Sequence, residues 1–207
     1  KNEDYLKAGA QITDDLSSAN IIFGVKEVDI SALIEGKTYL FFSHTSKVSQ
    51  YIGQTLKDDA IIYKKELLKE VIKKKITLID YENIREISGE GYRYLGFGRF
   101  AGIIGTYNTL NLYLKLFNKK SLPRAFEINN YKEIKKLISK QNFNKIKILI
   151  TGSGRASKGA IELLKQANIK QISINDYLNN KYDKAVFCNI SPKEHIEKKD
   201  GKEISKV

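Results

Sequence analysis

Four features of this chain have residue types and spacings that suit chemistry. They are a lysine beside a glutamate, a histidine between hydroxyls, an Asp-Tyr-Glu run, and a glycine turn with an acid downstream. Lys26 and Glu27 stand in Gly24-Val25-Lys26-Glu27, His44 in Phe41-Phe42-Ser43-His44-Thr45-Ser46-Lys47, and Glu82 in Leu78-Ile79-Asp80-Tyr81-Glu82. Histidine passes protons in either direction near neutral pH. An amine in a crevice is shifted down by desolvation and up by nearby carboxylates, which is how acid–base groups are tuned. Taken singly, each has an ordinary reading too. Lys26 reads as a surface lysine among many, His44 as a hydrogen-bonded structural histidine, Arg93 as a surface arginine, and Cys188 as a small buried hydrophobe.

The glycine turn is Gly152-Ser153-Gly154-Arg155-Ala156-Ser157-Lys158-Gly159. It departs from G-x-G-x-x-G because Ser157 holds the third glycine position, with a glycine following at Gly159. A dinucleotide needs a tight turn at Gly152, no side chain at Gly154 where backbone meets pyrophosphate, and a free helix N-terminus for the charge. Asp176 follows Gly154 by 22 residues. At the end of a second strand its carboxylate would bond the ribose hydroxyls and repel a 2′-phosphate, which favours NAD over NADP. The other reading of Asn175-Asp176 is a turn or a helix cap.

These groups must be positioned by alternating strands and helices. Ile21–Val25, Thr38–Phe42 and Ile76–Ile79 read as strands, with a helix over Glu66–Lys75 between the last two. That alternation implies parallel pairing. Phe100, Ile103, Tyr107, Leu110, Leu114 and Phe117 step by three and four, the apolar stripe of one long helix. Pro123 ends that segment, and Tyr131–Lys140 is a further helix. Ile146–Ile150, the glycine turn, a helix over Ala160–Ala167 and a strand over Gln171–Ile174 give β-turn-α-β, the opening of a Rossmann unit, with Ala185–Phe187 a third strand. The expected architecture is α/β: two Rossmann-like lobes with parallel sheets joined by a long helix, residues 1–122 the substrate lobe and 123–207 the start of the NAD-binding lobe. Ligand sites in such sheets lie beyond the carboxyl ends of the strands, where Lys26 and His44 fall.

The ordered set GVKE, FFSHTSK, LIDYE, GFGRFAGIIG and ILITGSGRASKGA resembles the lysine-forming saccharopine dehydrogenases and their bacterial relatives. At greater distance it is similar to alanine dehydrogenase and the transhydrogenase NAD-binding subunit. The similarity runs from about Tyr5 to the region of Pro192. It implies that Lys26 and His44 are the acid–base pair, that Glu27 and Glu82 modulate it, and that Lys47 and Arg93 contact substrate carboxylates. It also implies that Gly152, Ser153, Gly154 and Arg155, with Asp176, hold NAD. The family's N-terminal strand with its substrate-binding arginine has no counterpart here, nor do the later Rossmann strands and the segment that returns to the first lobe. The second lobe is therefore expected to be incomplete.

Composition narrows the remaining classes. The net charge is +12, yet only Arg85, Arg93, Arg99, Arg124 and Arg155 are arginine; the lysines form no arginine-and-aromatic stripe, so a solvated surface is expected and not a nucleic-acid site. No apolar run is long enough for a membrane span, and the opening Lys1-Asn2-Glu3-Asp4 precedes no apolar signal core. One cysteine and two histidines fit a reducing compartment, cytoplasmic by default, and no structural zinc site. The expectation is an NAD-dependent oxidoreductase of the carbon–nitrogen bond of an amino acid, with saccharopine the first choice of substrate and assembly into a homo-oligomer left open. The alternatives are an alanine dehydrogenase-like enzyme and an inactive cofactor-binding fragment.

Overall fold

The computed structural model describes residues 2–46, 48, 59–87 and 93–196. The chain divides into two units, Lys1–Gly96 and Phe97–Val207.

The first unit carries a three-stranded parallel sheet, β1 (Ile21–Lys26), β2 (Thr38–Phe42) and β3 (Thr77–Asp80), in that spatial order. Helix α1 (Asn2–Lys7) precedes it, and α2 (Asp59–Lys73) crosses between β2 and β3. In β2 the two-residue alternation turns Tyr39 and Phe41 inward to full burial. They meet Leu67 and Val71, four residues apart on α2, together with Leu33. The Tyr39 hydroxyl accepts the Ile34 N–H at 3.0 Å, which satisfies a buried phenol. Helix α2 ends with Lys75 in the left-handed region (φ 49°) and the Ile76 N–H returning to the Val71 carbonyl, which starts β3. Strands β1 and β2 are irregular at one point. Phe23 pairs with Leu40 and Lys26 with Phe42, so β1 uses one more residue than β2 over that step.

The second unit contains α3 (Gly98–Leu116), α4 (Tyr131–Ser139), β4 (Lys147–Thr151), α5 (Arg155–Gln166), β5 (Lys170–Gln171), α6 (Ile174–Asn179) and β6 (Val186–Ile190). Its sheet is parallel in the order β4-β6-β5. The central strand β6 is the most apolar, as a strand covered on both faces must be: Val186, Phe187, Cys188 and Ile190 are buried. Of the stripe on α3, Ile103, Tyr107, Leu110 and Leu114 are buried, whereas Phe100 and Phe117 at its ends are exposed. The buried four pack with Leu163 and Leu164 of α5 and Ile134 and Ile138 of α4.

Helices α3 and α5 touch backbone to backbone. A Cβ at Gly102 would overlap the Ala156 carbonyl, and one at Gly159 would overlap the Arg99 carbonyl. Arg99 adds a two-pronged bond to Glu162, 2.7 Å from Nε and 2.6 Å from Nη2, and the Tyr131 hydroxyl donates to the same carboxylate at 2.6 Å. This contact puts α3 in the second unit, ahead of the division expected at 122/123.

Candidate functional site

In the first unit the sequence motifs gather at the carboxyl end of the sheet. Lys26 is the last residue of β1 and pairs with Phe42, the last of β2; Asp80, the last of β3, pairs with Phe41. His44 follows β2 by two residues and Glu82 follows β3 by two. The turn between Phe42 and His44 is tied to β3 through Asp80. One oxygen of its carboxylate accepts the fully buried Ser43 hydroxyl at 2.6 Å, and the other accepts the Glu82 N–H at 2.8 Å. Ser43 Oγ also lies 2.7 Å from Thr45 Oγ1 and accepts the Thr45 N–H at 3.2 Å. These bonds hold His44 at φ 55°, in the left-handed region that few side chains enter without local support.

Glu82 is buried, and its carboxylate sits between two basic groups. His44 Nδ1 lies 3.0 Å from Oε2 at an ion-pair distance, out of line for a hydrogen bond, while Arg93 Nη1 donates to Oε1 at 3.2 Å. An antiparallel bridge between Arg85 and Arg93 brings the arginine back to this carboxylate. The Phe42 ring stacks beside the imidazole at 6.3 Å and 23°. With Nδ1 turned to Glu82, Nε2 is the nitrogen left for proton exchange with a ligand. The structure thus brings His44, Glu82 and Arg93 together. Lys26 is exposed at the same end of the sheet. Glu27 beside it keeps Oε2 buried with no hydrogen-bond partner among the described residues. Lys47 lies outside the described residues.

In the second unit the glycine turn forms where expected, directly after β4. Gly152 has φ 95°, open only to glycine at low cost. Its N–H donates to the Ile190 carbonyl at 2.8 Å, and the Asn189 side chain donates to the carbonyls of Ile150 and Gly152 at 3.1 and 3.0 Å. Gly154 caps α5 without a side-chain bond, so no N-cap side chain covers the start of that helix. A Cβ at Gly152 or Gly154 would meet nothing within 4 Å, which leaves the room a pyrophosphate needs above the turn. Ser153 is exposed, and Arg155 is the first residue of the helix. Ser157 is buried and donates to the Gly154 carbonyl at 2.8 Å, so it closes the turn in place of the missing glycine. Gly159 carries the close helix packing.

Asp176 requires a correction. The second strand stops at Gln171, and Ser173 caps α6, so Asp176 stands in the first turn of a helix and not at a strand end. Its N–H donates to Ser173 Oγ at 3.1 Å. Its two oxygens accept from Ser173 Oγ at 2.9 Å and Asn180 Nδ2 at 3.0 Å. Local capping outcompetes strand extension because the cap satisfies helix N–H groups that the exposed edge strand does not. Three residues that the motif reading left without a role, Ser43, Asp80 and Asn189, prove to be the ties that shape the two turns. Asp80 was visible in the Asp-Tyr-Glu run, whereas nothing local marks Asn189. Among the described residues no group of three or more His, Cys, Asp or Glu could hold a metal ion, and no helix is long and apolar enough to cross a membrane.

Comparison with known proteins places the first half of the sequence in a family. Residues 1–103 match the alanine dehydrogenase/PNT N-terminal domain. The chain is 29% identical over 208 residues to a mitochondrial alpha-aminoadipic semialdehyde synthase of Bos taurus, covering 87% of the chain and 21% of that protein. It is 27% identical over 179 residues to the alpha-aminoadipic semialdehyde synthase of Arabidopsis thaliana, covering 78% of the chain and 16% of that protein. The chain therefore spans about a fifth of the length of these relatives. A solved L-alanine dehydrogenase is similar over 93% of the chain and 49% of its own length, with 14% identity and a TM-score of 0.49. The matched domain, the relatives and the motif order agree: residues 1–103 of this chain are an alanine dehydrogenase/PNT N-terminal domain.

Proposed function

We propose that the chain is the catalytic part of a pyridine-nucleotide-dependent oxidoreductase that opens a carbon–nitrogen bond of an amino acid, with saccharopine as substrate and NAD as cofactor. The observation that carries this reading is His44, fixed against a buried carboxylate at the carboxyl end of a parallel sheet, with Lys26 at the same end. The glycine turn has the room for a dinucleotide directly before the N-terminus of α5, and the part of that cofactor is to accept a hydride. The name of the relatives favours a six-carbon amino acid altered at its far end over alanine. Saccharopine, which joins lysine through that terminal nitrogen to a five-carbon diacid, is of this class.

The overall change is saccharopine, water and the oxidised cofactor to lysine, 2-oxoglutarate, the reduced cofactor and a proton. The substrate's secondary amine must give up its proton before hydride leaves the neighbouring carbon, and water must then lose a proton as it adds to the resulting imine. Lys26 and His44 are the groups assigned to those two transfers. Glu82 balances a positive imidazole while His44 holds the proton, and Arg93 keeps that carboxylate from being an unpaired buried charge. Arg93 is also proposed to contact a substrate carboxylate, for which its planar guanidinium is suited. Lys47 is proposed for the second carboxylate, and Glu27 as the partner of Lys26.

The test is turnover of the enzyme containing this chain, followed by cofactor reduction. His44→Gln and Lys26→Met should each slow it by about a hundred- to ten-thousand-fold while cofactor affinity stays unchanged. Combined, the two should lose less than the product of the single effects. Near-normal turnover in both variants would sink the acid–base assignment and favour an inactive cofactor-binding fragment. Faster turnover with alanine than with saccharopine would keep the site and replace the substrate.

A further inference from the structure

Dinucleotide folds read the adenosine ribose with side chains at the carboxyl end of the strand lying beside the glycine-turn strand. Here that neighbour is β6, which comes later in sequence than β5. Strands β4 and β6 pair from Lys147↔Val186 to Thr151↔Ile190, and β5 pairs only on the far side of β6. Two inter-strand steps put β5 roughly 10 Å from β4. The Ile190 carbonyl and the Asn189 side chain both bond the backbone of Gly152, so the chain leaving β6 starts against the glycine turn itself.

The segment that leaves there is Ser191-Pro192-Lys193-Glu194-His195. It folds back on its own start. The Ser191 N–H donates to Glu194 Oε2 at 2.6 Å, and His195 Nδ1 lies 2.8 Å from the Ser191 carbonyl. One carboxylate oxygen of an exposed glutamate is thereby fixed at the strand end, where a ribose-reading acid belongs. The Ser191 N–H holds the Glu194 carboxyl below the usual carboxylate range, so the group is anionic at neutral pH.

We propose that Glu194, and not Asp176, is the residue that reads the 2′ position of the cofactor ribose and favours NAD over NADP. This rests on the pyridine-nucleotide reading above. An anionic carboxylate accepts the 2′-hydroxyl of NAD and repels the 2′-phosphate of NADP. Asp176 lies in the first turn of α6, whose Tyr177 ring and Asn180 carbonyl meet Lys147 at the amino end of β4, the end away from the glycine turn.

The experiment is direct binding of NAD and NADP, by calorimetry, to the unmodified protein and to Glu194→Gln and Asp176→Ser. Glutamine keeps an oxygen for the Ser191 N–H, so the corner persists while its charge is removed. Glu194→Gln should move the ratio of the two affinities toward NADP by about tenfold or more. Asp176→Ser should leave the ratio within about twofold, since α6 meets β4 at its amino end and the ribose would lie beyond its carboxyl end. An unchanged ratio in Glu194→Gln overturns the assignment, and so does a shift in Asp176→Ser of the same size. Failure of the unmodified protein to bind either nucleotide is a separate result, and it removes the cofactor reading itself.

Discussion

Replacing Gly159 with alanine puts a methyl group onto the Arg99 carbonyl oxygen and 2.8 Å from its carbon, where non-bonded carbon atoms rest at about 3.5–4.0 Å. Both partners are helix backbone, so no side chain can rotate away. Helices α3 and α5 must part by about 1 Å, loosening the contact of Ile103, Tyr107 and Leu110 with Leu163 and Leu164, all buried to 1% or less. Overpacking of this kind costs about 1–3 kcal/mol, and the rigid backbone contact argues for the upper end. Alanine's better helix propensity returns about 1 kcal/mol. The net expectation is a loss of about 2 kcal/mol, read as a lower urea midpoint with unchanged slope. Gly105→Ala is the control. It lies in the partner helix α3, and a Cβ there meets nothing within 4 Å, so it should gain about 0.4–1 kcal/mol. If Gly159→Ala unfolded no earlier than the unmodified chain, or Gly105→Ala lost as much, close helix packing would not explain Gly159.

The tie through Asp80 and the cluster around Glu162 give two further expectations. Asp80→Ala leaves the Ser43 hydroxyl and the Glu82 N–H without their acceptor, and should cost about 2–4 kcal/mol in thermal or urea unfolding; a loss below 1 kcal/mol would show that the turns hold without it. Glu162 is held below its ordinary range, first by its bond to Arg99 and then by Tyr131, so its stabilisation is present above the unfolded carboxylate range and fades as pH falls through the lowered value. Glu162→Gln should flatten that acid limb. Burial, followed by the bond to Glu162, pushes the Tyr131 phenol up to about 12, so its contribution is complete below 10.0 and is lost as pH rises toward 12. Tyr131→Phe should remove that alkaline loss, and an unchanged alkaline limb would place its origin elsewhere.

Much of the site's placement was legible because it depends on local pattern. Ile21 onward and Thr38–Phe42 are short apolar runs, and parallel strands bring their carboxyl ends to one side. Lys26 and His44 therefore had to share that side. What could not be read locally is pairing between distant segments. Nothing in Ala185-Val186-Phe187 announces that it inserts between β4 and β5, since strand order is decided by burial of the whole sheet. Ile172-Ser173-Ile174 alternates like a strand, yet Ser173 and Asp176 at a three-residue spacing also make a helix cap, and the cap prevailed. The serine at the third glycine position looked like a defect. It is a different closure of the same turn, and the glycine it displaced reappears at Gly159, where the neighbouring helix requires it.

The extra residue in β1 between Phe23 and Lys26 has an evolutionary consequence. Because side chains alternate along a strand, the number of residues before the strand end decides which way its last side chain is directed. A single-codon deletion there could preserve every named residue of the site and still turn Lys26 relative to His44. Substitutions at Val25 leave that parity untouched. Drift in this segment is therefore constrained in length more tightly than in composition, and descendants of the chain should vary at Val25 while keeping the spacing from Phe23 to Lys26.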